Sequence, residues 1–511
     1  MAIGLRSRGV AALVALTVGM SGLAAGDQAL AIGGESAGAA YGYVVRVHVG
    51  AERACTGVRL DPQLVATAKA CFPTPVTGPP AVATTVVTRP DQNAGTQTVA
   101  VDHLFVRDDR DLVLAHLAKP VTGLRGDAPV AVSAPATGET VRVLGFGRTS
   151  REWVPDLPHT AQYSVRSVSS TGVDILPIAD GAVCKGDAGG PVIRENGDGT
   201  ASLIGLLSSS GQGGCLAESS TARDATVTRA DGLAGWVDQF RETELTGVVE
   251  AGSESGCLVL RDGGATYHLT GGDATVVKTG ETVHLFGYRA PTAGDTCTQG
   301  DRFRVTQAFP VMTLVGTVTR GAEGCLLLSS GATYRLAGGD PAVVKVGAAV
   351  SVTGYAAAGV SGCAQGTGFR VQSAVPATPV SLRARVNNKF VTAEEAGAKA
   401  LIANRDAVGG SWEVFDLFDL GHGYIALRAR VNGKYVTAES AGAAALIANR
   451  DTVGGTWEKF LLVRNADGSV SLKATVNDMY VTAENAGAAP LIANRPTIGG
   501  SWERFDLVDN Q

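Results

Sequence analysis

A chain of 511 residues is longer than one hydrophobic core supports, so two to four domains are expected. It is 45% hydrophobic with 67 Gly, and its Val, Ala and Leu fall in short runs between Gly, Asp, Asn and Thr, the texture of an all-β protein. The 43 Lys and Arg against 48 Asp and Glu leave a formal charge of -5 without any basic block, which argues against nucleic acid or an anionic membrane as partner.

At the start, Arg6 and Arg8 precede an apolar stretch from Val10 to Ala25, and Ala29-Leu30-Ala31 is a small-x-small cleavage site. Residues 1–31 therefore read as an export signal cleaved after Ala31, which leaves a mature chain that begins at Ile32. The apolar run is short for a membrane span of ~20 residues. No later stretch is longer, so a soluble, secreted protein with no membrane contact in its mature form is expected.

Residues 32–242 alternate short strands with Gly, Pro and Asp turns and end in an amphipathic helix whose Leu233, Trp236, Val237 and Phe240 share one face. That face should dock on the domain before it. Residues 245–376 are an internal duplication. Gly247, Cys257, Tyr267, Gly287-Tyr288, Cys297 and Phe303-Arg304-Val305 recur as Gly316, Cys325, Tyr334, Gly354-Tyr355, Cys363 and Phe369-Arg370-Val371. The two copies, 245–310 and 313–376, are read as small, disulfide-closed, OB-like β-barrels with their aromatics in the core.

After a linker at Pro376 and Pro379, residues 380–511 repeat three times with a period of 45, so that Trp412, Trp457 and Trp502 correspond. Three units of about four strands suit a β-trefoil, whereas a propeller needs about four blades or more. Asn387, Asn432 and Asn477 with Glu394, Glu439 and Glu484 are the repeated polar residues chosen as contacts, although repeated Asn also serves to fix turns. The tryptophans are assigned to the core.

The 8 cysteines form four close pairs, Cys55 with Cys71, Cys184 with Cys215, Cys257 with Cys297 and Cys325 with Cys363. Each pair lies inside one proposed domain, which favours nearest-neighbour disulfides in an exported protein over metal sites. No metal and no cofactor are expected.

The strings Val-Asn-x-x-Tyr/Phe-Val-Thr-Ala-Glu and Gly-Gly-x-Trp-Glu-x-Phe make all three C-terminal repeats resemble the fascin-like β-trefoil family. For an exported protein of bacterial character the resemblance implies a glycan- or surface-binding module rather than an actin bundler.

Region one carries a second set of motifs. Ile32-Gly33-Gly34-Glu35, Cys55-Thr56-Gly57, Val65-Ala66-Thr67-Ala68-Lys69-Ala70-Cys71, Asp111-Leu112-Val113-Leu114-Ala115, Gly145-Phe146-Gly147, Cys184-Lys185-Gly186-Asp187-Ala188-Gly189-Gly190-Pro191 and Ile204-Gly205-Leu206-Leu207-Ser208 follow one another along the chain. In this order they resemble the trypsin-like serine peptidases over nearly all of residues 32–242. The resemblance places the catalytic aspartate at Asp111, the histidine at Ala70 and the nucleophilic serine at Ala188. It also implies an oxyanion hole from the amides of Gly186 and Ala188, an ion pair of the Ile32 amine with Asp187, and a pocket bounded by Ala182 and Ser208 that is small or apolar. Signal cleavage would free the Ile32 amine without a separate activating protease.

Acyl transfer in this family needs a hydroxyl, an imidazole and an orienting carboxylate, and a methyl group supplies neither of the first two. Lys69 is expected to point away from Ala70, and His48, His103, His116 and His159 read as strand or surface residues. The expectation is therefore a pseudoprotease that offers peptide- and glycan-binding surfaces. The alternatives are a serine endopeptidase whose parent form is active and a carbohydrate-binding adhesion protein.

Overall fold

The computed structural model describes residues 41–510 apart from 89–94, 123–127, 180, 198–199, 291–295 and 361–362. The expectations for the export signal and for Ile32 lie outside the described residues. The chain divides into two compact units, Met1–Arg241 and Glu242–Gln511. Among the described residues both are built from strands and turns, with one short α-helix.

The first unit is two closed six-stranded barrels. Strands β1 (Val44–Val49), β2 (Arg53–Asp61), β3 (Leu64–Thr67), β4 (Thr84–Val87), β5 (Thr98–Val106) and β6 (Val113–Leu117) close in the order β1-β2-β3-β6-β5-β4. Strands β7 (Thr140–Gly145), β8 (His159–Val168), β9 (Gly172–Pro177), β10 (Pro191–Glu195), β11 (Ala201–Ser210) and β12 (Ala225–Arg229) repeat that order as β7-β8-β9-β12-β11-β10. β-Branched residues favour such pleated, half-buried surfaces. Val45, Val47, Val65 and Val113 fill the first barrel, and Val141, Val143, Ile175, Val192 and Val227 the second.

The terminal helix α1 (Ala234–Asp238) is shorter than the apolar spacing suggested. Gly232 and Gly235 weaken it, and Thr243 already begins the next strand. Its face docks as expected, with Leu233, Val237 and Phe240 buried and the Phe240 ring stacked on Phe105 at 3.9 Å.

The second unit opens with two closed five-stranded barrels. Strands β13 (Thr243–Ala251), β14 (Leu258–Asp262), β15 (Ala265–Gly271), β16 (Thr282–Arg289) and β17 (Asp301–Pro310) close as β13-β14-β15-β17-β16, with β15 and β17 parallel. Strands β18 (Met312–Arg320), β19 (Leu326–Ser330), β20 (Ala332–Gly338), β21 (Ala349–Ala356) and β22 (Thr367–Pro376) do the same, with β20 and β22 parallel. The repeated Gly-Tyr pair has a physical reason here. The register slips at Phe286/Gly287 and at Thr353/Gly354, and a Cβ on Gly287 or Gly354 would lie 2.1 or 1.9 Å from the carbonyl oxygen of Arg304 or Arg370. Phe303, Tyr288 and Phe369 are wholly buried.

All eight cysteines are disulfide-bonded in the nearest-neighbour pattern: Cys55–Cys71, Cys184–Cys215, Cys257–Cys297 and Cys325–Cys363.

The last twelve strands, from Thr378–Ala384 to Phe505–Asp509, form one sheet system around a core drawn equally from the three repeats. Leu382, Leu427 and Leu472 occupy one layer, and Phe415, Phe460 and Phe505 another. The tryptophans are not in this core, which corrects their assignment. Trp412 is exposed and Trp457 and Trp502 are half-buried, because the phenylalanine three residues on fills the centre.

Each repeated asparagine is tied to the backbone of its own repeat and seated against a glycine of the preceding repeat in the three-fold cycle. The Asn432 amide donates to the Ala448 carbonyl at 2.8 Å and accepts from the Lys434 N–H at 3.0 Å. A Cβ on Gly397, whose φ is +82°, would meet the Asn432 amide nitrogen at 2.1 Å. Gly442 stands in the same relation to Asn477, and Gly487 to Asn387. Asn432→Ala removes two partly buried hydrogen bonds and leaves a gap at this junction. It is expected to destabilise the C-terminal repeats by about 2–3 kcal/mol, read as an earlier thermal transition of that region.

Candidate functional site

Ala70 sits in a single 3-10 turn, Lys69–Cys71, held to β2 by the Cys55–Cys71 disulfide. Asp111 lies two residues before β6, Ser208 lies on β11, and Ala188 is in the turn that leads into β10. The fold brings these four together. The Asp111 carboxylate accepts from the Ala70 N–H at 2.8 Å through one oxygen and from the Ser208 hydroxyl at 2.5 Å through the other. Among the described residues no cation pairs with it.

Lys69 is engaged elsewhere. Its ammonium donates to the Arg107 carbonyl at 3.2 Å. His116 is buried on β6 with its Nδ1 2.7 Å from Asp102. His48 is a half-buried residue of β1, as expected, and it also lines a cavity next to Gly186.

The turn from Cys184 to Pro191 is shaped by its neighbours. Gly186 adopts φ +102°, a left-handed conformation that suits glycine, and its carbonyl accepts from the Thr56 hydroxyl at 2.9 Å. Thr56 also accepts from the Phe146 N–H at 2.9 Å and donates its own N–H to the Ala188 carbonyl at 3.0 Å, so one side chain joins the two barrels and the loop. A Cβ on Gly189 would lie 2.2 Å from the Thr67 hydroxyl, and one on Gly190 2.3 Å from the Leu144 carbonyl. The Gly-Gly pair is thus required by packing, whatever residue stands before it. The amides of Gly186 and Ala188 have no acceptor among the described residues. An oxyanion is stabilised by donors aimed at the point where its charge develops.

Asp187 is wholly buried between Gly145 and Gly147. Its oxygens accept from the N–H of Gly147 at 2.7 Å and of Cys184 at 2.8 Å. Burial outweighs those two bonds and pushes its carboxyl up to about 7.

Ala182 is buried against the Cys184–Cys215 disulfide. Ser208, chosen from sequence as a pocket residue, holds Asp111 as well. The hydroxyl of Thr56 was missed altogether, since nothing in the string Cys-Thr-Gly marks a contact 130 residues away.

Beside the loop lies a cavity of about 230 Å³ lined in part by Arg46, His48, Phe146, Arg148, Trp153 and Lys185. Trp153 and Val154 are 61% and 71% exposed on its rim.

In the C-terminal repeats, Glu394 accepts from the Asn404 amide at 2.7 Å and the Arg405 guanidinium at 2.9 Å, and Glu439 and Glu484 do the same with Asn449, Arg450, Asn494 and Arg495.

The family model described as Trypsin matches residues 31–236. No protein of the curated set matches the chain. Among solved structures, that of a designed three-fold symmetric protein, ThreeFoil, is similar at 27% identity over 26% of this chain and 99% of its own, with a TM-score of 0.24. The family match, the two barrels and the disulfides together support a trypsin-like serine peptidase domain. Four disulfides fit an extracellular setting. No described helix is long and apolar enough to cross a membrane.

Proposed function

We propose that the trypsin-like domain over residues 32–242 is a secreted, non-catalytic peptidase homologue that serves as a peptide-binding scaffold. The observation that carries this reading is a complete frame around two methyl groups. Asp111 is oriented by Ala70 and Ser208, and the Gly186 and Ala188 amides are open. Yet neither a nucleophilic hydroxyl nor an imidazole stands at the reacting positions. The oxyanion hole and binding alone leave only about 10³ to 10⁴ over the uncatalysed rate in enzymes of this type. The Ile32 amine, freed by signal cleavage, is proposed to pair with Asp187 and hold the loop. Ala182 leaves any residual pocket apolar. The test is purified mature protein exposed to casein and to a fluorophosphonate probe. Neither cleavage nor labelling is expected, and labelling of the unmutated chain would favour the alternative of an active endopeptidase.

We further infer that the C-terminal repeats are a β-trefoil that binds carbohydrate, with the barrels of residues 245–376 as OB-like spacers. What favours this is that each repeat carries an Arg–Glu pair and a tryptophan outside the core; in the second repeat the Arg450 guanidinium lies 6.0 Å from the Trp457 ring. Such planar polar groups beside an aromatic face suit a sugar ring. A glycan array probed with the full chain and with the chain ended at Pro376 is expected to give signal only for the former. Equal signals, or none, would remove the carbohydrate reading.

A further inference from the structure

We propose that the cavity beside the Gly186 loop is an anion site that takes one acidic side chain of an extended peptide; the proposal rests on the reading of the cleft as peptide-binding. Three cations line it, Arg46, Arg148 and Lys185, and no carboxylate is among its lining residues. The nearby carboxylates do not balance them. Glu218 is shared between Arg148 and Lys185, and Asp156, in the adjoining hollow, is the acid that acts on Arg46.

The pairing of Arg148 is incomplete. Its side chain is only 7% exposed, and although its Nη2 reaches Glu218 and Gln212, its Nε–H has no acceptor among the described residues. A buried donor left without a partner is costly, and a carboxylate can accept two N–H groups along one edge of a guanidinium. Arg46 is also drawn out of water. Burial lowers its pKa from the ordinary value, its Nη2 donates to the Pro155 carbonyl, and its guanidinium lies over the Phe146 ring at 4.7 Å. An anion in this cavity would restore favourable surroundings to both cations.

The occupant must also have an apolar arm, because Trp153 and Val154 stand exposed at the rim with Phe146 in the wall. At about 230 Å³ the cavity has room for a side chain or two but not for a folded element. An acidic residue two positions from an aromatic or aliphatic one, the two sharing a face in a strand-like peptide, satisfies the charge, the shape and the exposed ring together.

The test is a library of phage-displayed random heptapeptides panned on the full chain and on Lys185→Glu and Trp153→Ala. Both substitutions alter exposed side chains, and circular dichroism checks that the strands remain. Enrichment of peptides with Asp or Glu two positions from an aromatic or aliphatic residue is expected. The best peptide, synthesised, should bind about tenfold more weakly after its acid is changed to the amide, and about three- to tenfold more weakly to Lys185→Glu, with a loss at raised salt. Peptides without acidic preference that bind Lys185→Glu as well as the parent would overturn the anion site and leave the peptide cleft standing. No enrichment above the bare support would overturn the peptide cleft and the anion site together.

Discussion

Ala70→His with Ala188→Ser in one chain is expected to turn on fluorophosphonate labelling and casein cleavage, by about 10³-fold or more over the unmutated protein, whereas either change alone should stay near background. The two residues act as a unit, since a serine without a base to take its proton is as inert as a base with nothing to deprotonate. Two features of the proposed site favour this outcome. Asp111 accepts from Ala70 N–H and Ser208 hydroxyl, which leaves lone-pair capacity on the same carboxylate for an imidazole Nδ1–H. The amides of Gly186 and Ala188 are open to an oxyanion. Adding Asp111→Asn to the double mutant should remove most of the gain and return labelling to near background, because the imidazole would lose its tautomer and its orientation. A double mutant that folds, keeps its disulfides and still does not react with the probe would show that more than the two side chains has been lost.

How far the sequence announces this structure depends on whether the relevant contact is local. Alternating valines, glycine turns, the 45-residue period and the close cysteine pairs are carried by neighbours in the chain, and they reappear as barrels, repeats and the four disulfides. The Asp-Ala-Gly-Gly string is legible for the same reason, since each glycine answers to a near backbone or hydroxyl atom. What could not be read is what closes between distant segments. Thr56 joins β2 to the Gly186 loop, Ser208 reaches Asp111 across 97 positions, and His48 turns out to share a cavity with Lys185. The repeat asparagines show the limit most plainly. A polar residue recurring every 45 positions invites a binding role, yet each is held by the backbone of its own repeat and packs on a glycine of another, so that recurrence here serves the junctions of the three-fold core.

The largest pH effect on stability is expected from Asp187, and its sign depends on the amine proposed to meet it. With only two amide donors and complete burial, its carboxyl rises from 3.8 to about 7 in the folded chain. The folded state then holds a proton that the unfolded state gives up above about pH 4. Stability from this source is full below the unfolded pKa and is lost as pH rises through about 7, by about 4 kcal/mol in all. A positive charge set against the same carboxylate reverses the argument. The ionised form becomes the favoured one, the folded pKa falls, and stability is gained as pH rises instead. A chain that begins at Ile32 should therefore melt higher at pH 8 than one with a single extra residue before Ile32, and the two should converge near pH 4, where the carboxyl is protonated in the unpaired form. Groups common to both chains cancel in that comparison, and Asp187→Asn should abolish the difference. Identical melting curves from pH 4 to pH 8 would mean that the amine does not reach Asp187 and that the loop around Ala188 stands on its backbone hydrogen bonds alone.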